Sequence, residues 1–283
     1  MRYAMLLAGL SVAFLVFATV HESAAQDPVK AYNLDKLNTA GDEEDPAPTP
    51  DGFAFFFARK EQKHYDIYRS TRPTGTATFG PGKPFMFARG ADVRCPQAHQ
   101  NKLYFVTNEV PDPKFADLKN FDIRWQIGTQ APLSLISDVN SKADEMYPWV
   151  TASGKDLYFS RKTEDGWKLF VANGPVPGPI GKSKEVGFPT GFQRATVTGS
   201  GLTMYLQGPL DDGKIGVFRS KRAKTTEPWS KPAPVVALNH AESKRGDMQP
   251  ALSFDGARLY FVSDRPGGKG GLDIWYVPTA MLK

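Results

Sequence analysis

Short hydrophobic triplets recur along the chain, and each one follows a polar turn. The three clearest copies are Phe55-Phe56-Phe57, Leu157-Tyr158-Phe159 and Leu259-Tyr260-Phe261. Successive side chains of a β-strand point to opposite faces of its sheet, so an all-apolar triplet predicts a strand that is covered on both faces. Beyond the N-terminal segment, no stretch has a convincing helical period over a dozen residues. The pattern therefore predicts an all-β protein of short strands.

The triplets are part of a repeat of about fifty residues. In the three clear copies, a proline lies five residues before an Asp-Gly or Ser-Gly turn pair and nine residues before the triplet. Two weaker copies share this layout, although one has alanine in place of the proline and the other has a shorter turn. The anchor residues of the five units are Pro46, Pro96, Pro148, Ala195 and Pro250. Five such units account for nearly the whole chain.

Each unit predicts a blade of four short antiparallel strands. The first strand ends in the turn pair, the triplet forms the second, and the third recurs in segments such as Asp273-Ile274-Trp275. One small sheet cannot bury both of its faces, but sheets stacked around an axis cover one another. We therefore predict a single domain at residues 26–283 that folds as a five-bladed β-propeller. Its units fall at about residues 38–87, 88–136, 137–186, 187–236 and 237–283.

The two ends of the chain predict how the ring closes. The fifth unit ends soon after its third strand, and the spare segment, residues 29–37, lies before the first unit. We expect this N-terminal segment to supply the missing fourth strand of the last blade. A sixth, degenerate blade is the competing possibility, but no residues remain to build it.

The order of residues within the repeat is specific. It runs Asn-x-x-x-Asp-Glu-x-x-Pro, then Asp-Gly, then Leu-Tyr-Phe-x-Ser-Asp-Arg-x-Gly-Gly, then Asp-Ile-Trp, and residues 247–277 hold the best copy. This pattern resembles the WD40-like PD40 propeller repeat of TolB-like proteins and other bacterial envelope proteins. The resemblance implies an exported propeller that is used for protein contacts or ligand binding. It implies no catalytic residue, because the repeat motif is structural.

The first 25 residues have the layout of a secretory signal peptide. Arg2 gives a basic start, residues 4–20 form an apolar run, and the small residues Ser23 and Ala25 precede the expected cut after Ala25. An uncleaved membrane anchor is the alternative, although the run is at the short limit for a span. No later stretch is long and apolar enough to span a membrane. We expect a periplasmic or secreted protein with no transmembrane segment after signal removal.

Charge and cysteine content exclude few functions. The chain has 35 Lys and Arg against 30 Asp and Glu, a net charge of +5, which does not by itself indicate nucleic acid. Cys95 is the one cysteine, so no intramolecular disulfide can form, and we expect it to be a buried small side chain rather than a reactive thiol. The basic residues of two loops predict solvated loops, with acidic envelope polymers or anionic lipid surfaces as alternative partners: Lys182 and Lys184, then Lys221, Arg222 and Lys224.

Three units carry an acid three residues before the anchor, and the same units carry an arginine just past the triplet. The acids are Glu43, Glu145 and Asp247, and the arginines are Arg59, Arg161 and Arg265. The other two units have Val93 and Phe192 in place of the acid, and Asn108 and Gly208 near the arginine position. This joint presence predicts a structural ion pair between the first two strands of a blade. The alternative is a ring of acids at the channel mouth that binds calcium; no other cofactor is expected.

Other candidate residues are weaker. Trp149 follows Pro148 on the innermost strand and is the candidate aromatic residue facing a ligand in the channel. The three histidines after the signal segment lack zinc-like spacing and predict surface or loop positions: His64, His99 and His240. The glycine-rich run at residues 267–271 has no helix or Ser/Thr after its lysine, so it predicts a mobile strand-to-strand loop rather than a phosphate loop.

The sequence carries a repeat and a signal peptide but no catalytic constellation. We therefore expect a monomeric, non-enzymatic binding or scaffold module of the bacterial envelope, whose partner is an envelope protein or glycan rather than nucleic acid. The alternative is a glycoside hydrolase-like enzyme with an acid pair in the central cavity, drawn from Asp42, Asp92, Asp144 and Asp247. Two unpaired carboxyl groups roughly 5–10 Å apart favour the hydrolase. Carboxyl groups that are all bonded to arginine argue against it.

Overall fold

The computed structural model describes residues 28–86, 90–109, 120–128, 134–136, 138–178 and 180–282. Within these ranges, twenty short strands form five antiparallel sheets of four. The predicted fold class, an all-β five-bladed propeller with almost no helix, is confirmed. The predicted signal peptide and its cleavage site after Ala25 lie outside the described residues.

The first half of the chain supplies the closing strand and two blades. These strands are β1 (Tyr32–Asn33), β2 (Glu43–Pro48), β3 (Ala54–Glu61), β4 (His64–Thr71), β5 (Lys83–Met86), β6 (Val93–His99), β7 (Lys102–Thr107), β8 (Asp122–Ile127) and β9 (Ser134–Leu135). Blade 1 is β2-β3-β4-β5 and blade 2 is β6-β7-β8-β9.

The second half supplies three blades and a short 3₁₀-helix at Thr279–Met281. These strands are β10 (Glu145–Val150), β11 (Asp156–Thr163), β12 (Gly166–Asn173), β13 (Lys184–Glu185), β14 (Gln193–Val197), β15 (Thr203–Pro209), β16 (Ile215–Lys221), β17 (Ala233–Pro234), β18 (Asp247–Leu252), β19 (Arg258–Ser263) and β20 (Asp273–Pro278). Blade 3 is β10-β11-β12-β13 and blade 4 is β14-β15-β16-β17. Blade 5 is β18-β19-β20 with β1 as its outer strand.

The first strand of each blade lies innermost. Each of these strands contacts the innermost strands of the blades before and after it, and β18 contacts β2, so the ring is closed. All five run the same way, because every blade repeats one antiparallel order. One mouth of the central channel therefore holds the beginnings of the innermost strands, and the other mouth holds the turns that follow them.

The N-terminal strand closes the ring, as predicted. Tyr32 of β1 pairs with Tyr276 of β20, and Asn33 pairs with Trp275. The strand is shorter than the predicted segment, but Leu34 N extends the pairing by donating to Ile274 O at 3.0 Å. The two chain ends are therefore held together by backbone hydrogen bonds within one blade.

The asparagine of the repeat continues this pairing with its side chain. Asn38 Nδ2 donates to Ile274 O at 3.0 Å, and Asn38 Oδ1 accepts from Ile274 N at 2.8 Å. Asn140 does the same with both backbone groups of Ile123, and Asn239 with those of Val217. Each asparagine thus acts as an extra strand residue on the blade that precedes it. The motif keeps asparagine because its amide offers a donor and an acceptor side by side.

The hydrophobic triplets fill the spaces between blades. Phe55 and Phe57 pack with Tyr260 and Val262 of blade 5, whereas Phe56 packs with Phe105 of blade 2. The same alternation in the other triplets gives a hydrophobic cluster between each pair of consecutive blades. The core is therefore a ring of interfaces, and each blade is buried only by its neighbours.

No helix among the residues described above is long and apolar enough to cross a membrane.

Candidate functional site

Every innermost strand bulges at the same place, directly before its anchor. The residues there have φ between 54° and 58°, in the left-handed region, and none of them is glycine: Asp45, Cys95, Tyr147, Arg194 and Gln249. Each one lies within a break in the strand register, so two residues of the bulged strand oppose one of its partner. Left-handed backbone is uncommon for such side chains. Five copies of it make a repeated device that redirects one side chain of every blade.

The side chains at the bulges form a charged network on the channel axis. Asp45 of blade 1 accepts from Arg94 Nε of blade 2 at 3.0 Å and is also bonded to Arg194 Nη1 of blade 4. The amide of Cys95 donates to the same carboxylate at 3.0 Å, and the amide of Asp45 donates to Gln249 Oε1 of blade 5 at 2.7 Å. Only a group on the axis can contact blades 2, 4 and 5 together. Asp45 is fully buried and closes the channel at this level. We call the cluster of Asp45, Arg94, Arg194 and Gln249, together with the adjacent Glu44, the waist of the channel.

A second acid of blade 1 extends this network. Glu44 Oε2 accepts from Arg94 Nη2 and from Gln249 Nε2, both at 2.7 Å, and Glu44 Oε1 accepts from Tyr65 Oη at 2.6 Å. The Arg94 guanidinium lies 4.1 Å from the centre of the Tyr65 ring. Both acids of the waist therefore have arginine partners.

The electrostatics of the waist keep the Asp45 carboxylate charged and the Cys95 thiol neutral. Burial alone raises the pKa of Asp45, but attraction to Arg94 and Arg194 outweighs it and holds that pKa well below its usual range. Burial, with the negative charge of Asp45, raises the pKa of the Cys95 thiol. A thiol that stays protonated is a poor nucleophile. Cys95 is buried at the bulge of blade 2, with 3% of its surface exposed.

Below the waist, the ends of all five innermost strands line a recess, here called the turn-side recess. Its walls are rich in proline and small apolar residues, with Arg194, Gln97 and Tyr147 toward the waist. Five of the prolines lie on four different blades: Pro46, Pro48, Pro96, Pro148 and Pro250. Proline has no backbone N–H to satisfy. The recess is therefore an apolar surface with few free backbone donors.

Two aromatic residues define the recess at different depths. Trp149, the predicted ligand-facing residue, is partly buried, lines the wall and packs against the cores of blades 4 and 5. Its indole N–H has no acceptor among the described residues. Phe254, in the turn after β18, lies at the rim with 54% of its surface exposed. Phe53, in the corresponding turn of blade 1, is 47% exposed on the same face.

His99 was expected at the surface or in a loop, and that prediction is wrong. It ends β6, is buried and lines the turn-side recess. A β-carbon at Gly154, in the turn of blade 3, would lie 3.4 Å from His99 Nε2, so the ring is covered by the neighbouring blade. Burial, with the nearby charge of Lys102, lowers the pKa of His99, which keeps the imidazole neutral at pH 7.

The acids and arginines singled out by the repeat lie at the opposite mouth, where the innermost strands begin. Arg59 Nε donates to Glu43 at 2.8 Å, Arg161 Nε donates to Glu145 at 2.6 Å, and Arg265 Nη2 donates to Asp247 at 2.5 Å. Each arginine also donates to one carbonyl group of the segment that enters its blade: Leu37 O, Val139 O and Leu238 O. All three acids are fully buried. Each pair therefore joins two strands of a blade to the segment that enters it.

The two units without this pair use other contacts. In blade 4, the Phe192 ring lies directly over Gly208 and packs edge-on against Phe218 at 4.9 Å. In blade 2, Val93 is buried in the core, and Asn108 accepts from the amide of Asp92 at 2.8 Å. In blade 4, an apolar side chain over a glycine thus takes the place of the charged pair.

We expect Gly208→Ala to destabilise the protein by about 1–3 kcal/mol, because overpacked cores cost this much. A β-carbon at residue 208 would lie 2.5 Å from the Phe192 ring, and Phe218 prevents that ring from moving freely. Gly199→Ala is the matched control, since its new methyl group would meet nothing within 4 Å. Urea unfolding of both variants measures the difference. Equal stabilities would contradict the proposed packing.

The other candidate acids are also engaged. Asp42, Asp92 and Asp144 accept from the backbone amides of Leu272, Tyr65 and Phe121, each in the preceding blade, at 2.7–3.0 Å. Asp42 is bonded to Arg245 as well, at 2.9 Å. These side chains join consecutive blades. Among the described residues, no three His, Cys, Asp or Glu side chains are grouped so that they could hold a metal ion.

The remaining predicted loops have structural contacts. The glycine-rich run connects β19 to β20, and its Gly271 amide donates to Gly41 O of blade 1 at 3.1 Å. Arg222 donates to Gly201 O at 2.7 Å and lies over the Trp229 ring. Lys184 is exposed in β13, and His64 and His240 are partly buried beside turns.

Sequence reasoning missed the charged waist. The signal that could have found it is the identity of the residue before each anchor. Asp45 and Arg194 occupy this position in units 1 and 4, and Arg94 lies one position earlier in unit 2, so opposite charges fall at nearly equivalent points of different units. Equivalent positions of a closed repeat meet at the axis. Opposite charges there indicate contacts across the channel.

No protein-family model and no curated protein sequence matches the chain. Solved structures do match its fold. The catalytic domain of a GH62 α-L-arabinofuranosidase from Coprinopsis cinerea is 11% identical with a TM-score of 0.58, over 89% of this chain and 97% of that one. A thermostable family-43 glycoside hydrolase is 12% identical with a TM-score of 0.56, over 86% and 91%.

TolB from Acinetobacter baumannii also matches, at 15% identity and a TM-score of 0.53, over 84% of this chain and 54% of that one. This chain therefore spans about half the length of that TolB structure. At such identities the similarity shows the propeller fold alone, which TolB-like proteins and glycoside hydrolases share.

Proposed function

We propose that this protein is a non-enzymatic binding module of the bacterial cell envelope, and that its turn-side recess takes an extended segment of a partner protein. The observation that carries the proposal is the recess itself: an apolar pocket, built by all five blades, with the exposed Phe254 at its rim. Export is supported by the layout of the first 25 residues.

The charges of the channel favour binding over hydrolysis. Glycoside hydrolases of the common kinds need two carboxyl groups free to act on either side of the sugar bond. Here Glu44 and Asp45 of the waist, and Glu43, Glu145 and Asp247 of the opposite mouth, all bind arginine. Asp92 and Asp144 bind backbone amides of the preceding blade instead. A carboxylate held in this way is not free to attack a sugar.

The rim favours a protein over a glycan. Phe53 and Phe254 are large, exposed and apolar, and they lie on the same face of adjacent blades 1 and 5. Exposed apolar patches on a soluble domain mark contact surfaces, and aromatic residues carry much of the energy in such contacts. A partner segment with one apolar side chain in the recess would cover both the pocket and the rim.

The proposal is tested with labelled protein applied in parallel to an array of extended peptides and an array of glycans. We expect binding to peptides that carry large apolar residues, and Phe254→Ser to weaken it about tenfold, as loss of an aromatic anchor does. Trp149→Phe, which keeps an aromatic ring but reduces its area, should give a smaller loss.

Val236→Ser is the matched control, because Val236 is 57% exposed but lies in the loop after β17, on the opposite face. It should leave peptide binding unchanged. Binding confined to the glycan array, sugar release from that array, or an equal loss in the two serine variants would each contradict the proposal.

A further inference from the structure

A second cavity lies at the place where the ring closes, between blades 5 and 1. It is open to solvent and is lined by residues of both blades. One wall is the closing strand and the loop after it, and the other is the loop between β4 and β5. We call it the closure cleft. Lys36 Nζ spans its edge and donates to Thr78 Oγ1 at 3.5 Å.

The closure cleft holds two arginines without acidic partners. Arg72 and Arg258 both line it, and among the described residues no carboxylate lies within ion-pair distance of either one. The acid closest in sequence to Arg258, Asp255, is bonded within its own turn to Ser253 Oγ and the Ala257 amide. Asp35 is the one carboxylate among the described lining residues, and it is exposed. The cleft therefore carries a net positive charge.

Tyrosine rings form the floor between these cations. Tyr32 stacks on Tyr276 with ring centres 5.1 Å apart, and Tyr276 packs against Tyr260 at 5.9 Å. The Arg258 guanidinium lies 5.4 Å from the centre of the Tyr276 ring, and that of Arg72 lies 4.5 Å from the centre of the Phe79 ring. Flat apolar faces, hydroxyl groups and guanidinium groups thus meet in one cavity.

The equivalent junction between blades 3 and 4 shares only some of these residues. Arg222 matches Arg72, and each donates Nε to the carbonyl of a turn glycine. Where blade 5 has Arg258, Tyr276 and Tyr32, blade 3 has, at the same register positions, Asp156, Val171 and Lys184. There Trp229 replaces Phe79, and its Nε1 lies 3.3 Å from the hydroxyl oxygen of Tyr158, the counterpart of Tyr260.

The junction between blades 3 and 4 therefore has the arginine of the turn but neither the second arginine nor the two added tyrosines. We propose that the closure cleft is a binding site for a sugar that carries a carboxylate, with Arg258 and Arg72 pairing with the carboxylate and the exposed Tyr32 side chain contacting the sugar ring. Arginine suits a planar anion because its fork makes two parallel hydrogen bonds. The hydroxyl groups of Thr76, Thr78 and Tyr32 suit the hydroxyl groups of a sugar.

This site depends on ring closure, because Tyr32 belongs to the closing strand. A molecule bound against Tyr32 and Arg72 contacts both ends of the ring at once. Binding must then stabilise the closed state by mass action. The protein should melt at a higher temperature when the probe is present.

Calorimetric titration at low salt tests the proposal with four probes: D-glucuronic acid, a trimer of galacturonic acid, D-glucose and inorganic phosphate. We expect the acidic sugars to bind and to raise the melting temperature, and glucose and phosphate to bind at least tenfold more weakly. The monomer and the trimer distinguish a free acidic sugar from the end of a polysaccharide.

The variants separate binding from folding. Arg258→Gln and Tyr276→Val, the latter introducing the blade 3 residue, should each weaken acidic-sugar binding about tenfold. Arg72→Gln should weaken it as well, whereas Arg222→Gln, which loses the same bond to a turn carbonyl, should not. Equal binding of glucose, equal binding of phosphate, unchanged affinity in Arg258→Gln, or no binding at roughly 10 mM acidic sugar would overturn the proposal.

Discussion

Replacing Asp45 by asparagine is expected to destabilise the protein by about 3–5 kcal/mol, because removal of one partner leaves buried charges uncompensated. The carboxylate binds Arg94 and Arg194 from two other blades, and it is fully buried. The variant keeps the size of the side chain but not its charge. Urea unfolding should show the loss, together with a melting temperature lower by roughly 10 °C.

The same change at an exposed acid is the control. Asp165 pairs with Lys168 at 3.4 Å, and its side chain is 74% exposed. Exposed ion pairs contribute little to the free energy of unfolding, so Asp165→Asn should change stability by less than about 0.5 kcal/mol. If the two variants were equally stable, the charged waist would not hold the blades together.

The pH dependence of the two proteins gives a second measurement. The pKa of Asp45 is lower in the folded chain than in the unfolded chain, where it is about 3.9. Its contribution to stability is therefore complete above that value and is lost as the pH falls toward the folded pKa. The gap in unfolding free energy between wild type and Asp45→Asn should shrink below about pH 4. A gap that stays constant to lower pH would mean that the charge of Asp45 is not its source.

A chain that begins at Asn38 is expected to lose its cooperative fold. Without residues 29–37, β20 becomes an open edge, and Leu37, which is fully buried between blades 5 and 1, leaves the core. Truncating one buried leucine costs about 2–5 kcal/mol, and whole domains are stable by only about 5–15 kcal/mol. Circular dichroism during heating should show a broad transition at lower temperature.

Two further samples make this test specific. A synthetic peptide of residues 29–37, added to the shortened chain, should restore part of the lost transition by pairing with β20. Leu37→Ala should be clearly less stable than Leu135→Ala, because Leu135 is 52% exposed on an outer strand. A shortened chain that melts like the full one would show that closure contributes nothing.

The sequence was sufficient for the fold because propeller contacts are repetitive. The spacing from anchor to turn to triplet records which residues face a neighbouring blade, and every blade has the same neighbours. Phe55 and Phe57 could thus be assigned to one face and Phe56 to the other before any coordinates. The closing strand followed from counting, since one unit lacked a strand and one segment lacked a sheet.

The site was not predictable in the same way, because it depends on which blades meet across the axis. Asp45 lies 49 residues from Arg94 and 149 from Arg194, and nothing local in the sequence joins them. Four of the five bulged residues also contradict a local rule, since they precede proline, and a residue before proline is biased toward extended backbone. His99 was misplaced for a related reason: its cover is a turn of the next blade, not its own neighbours in sequence.

The five bulges share one backbone but carry five different side chains, and this has a consequence for how the protein can change. Duplication or loss of a unit would disturb little of the main chain, since every module fits beside every other. It would, however, place Asp45 opposite residues other than Arg94 and Arg194. Because the residues at the five bulges differ, each blade fits only one position in the ring. A ring with a different number of blades would have an unpaired charge buried on the channel axis.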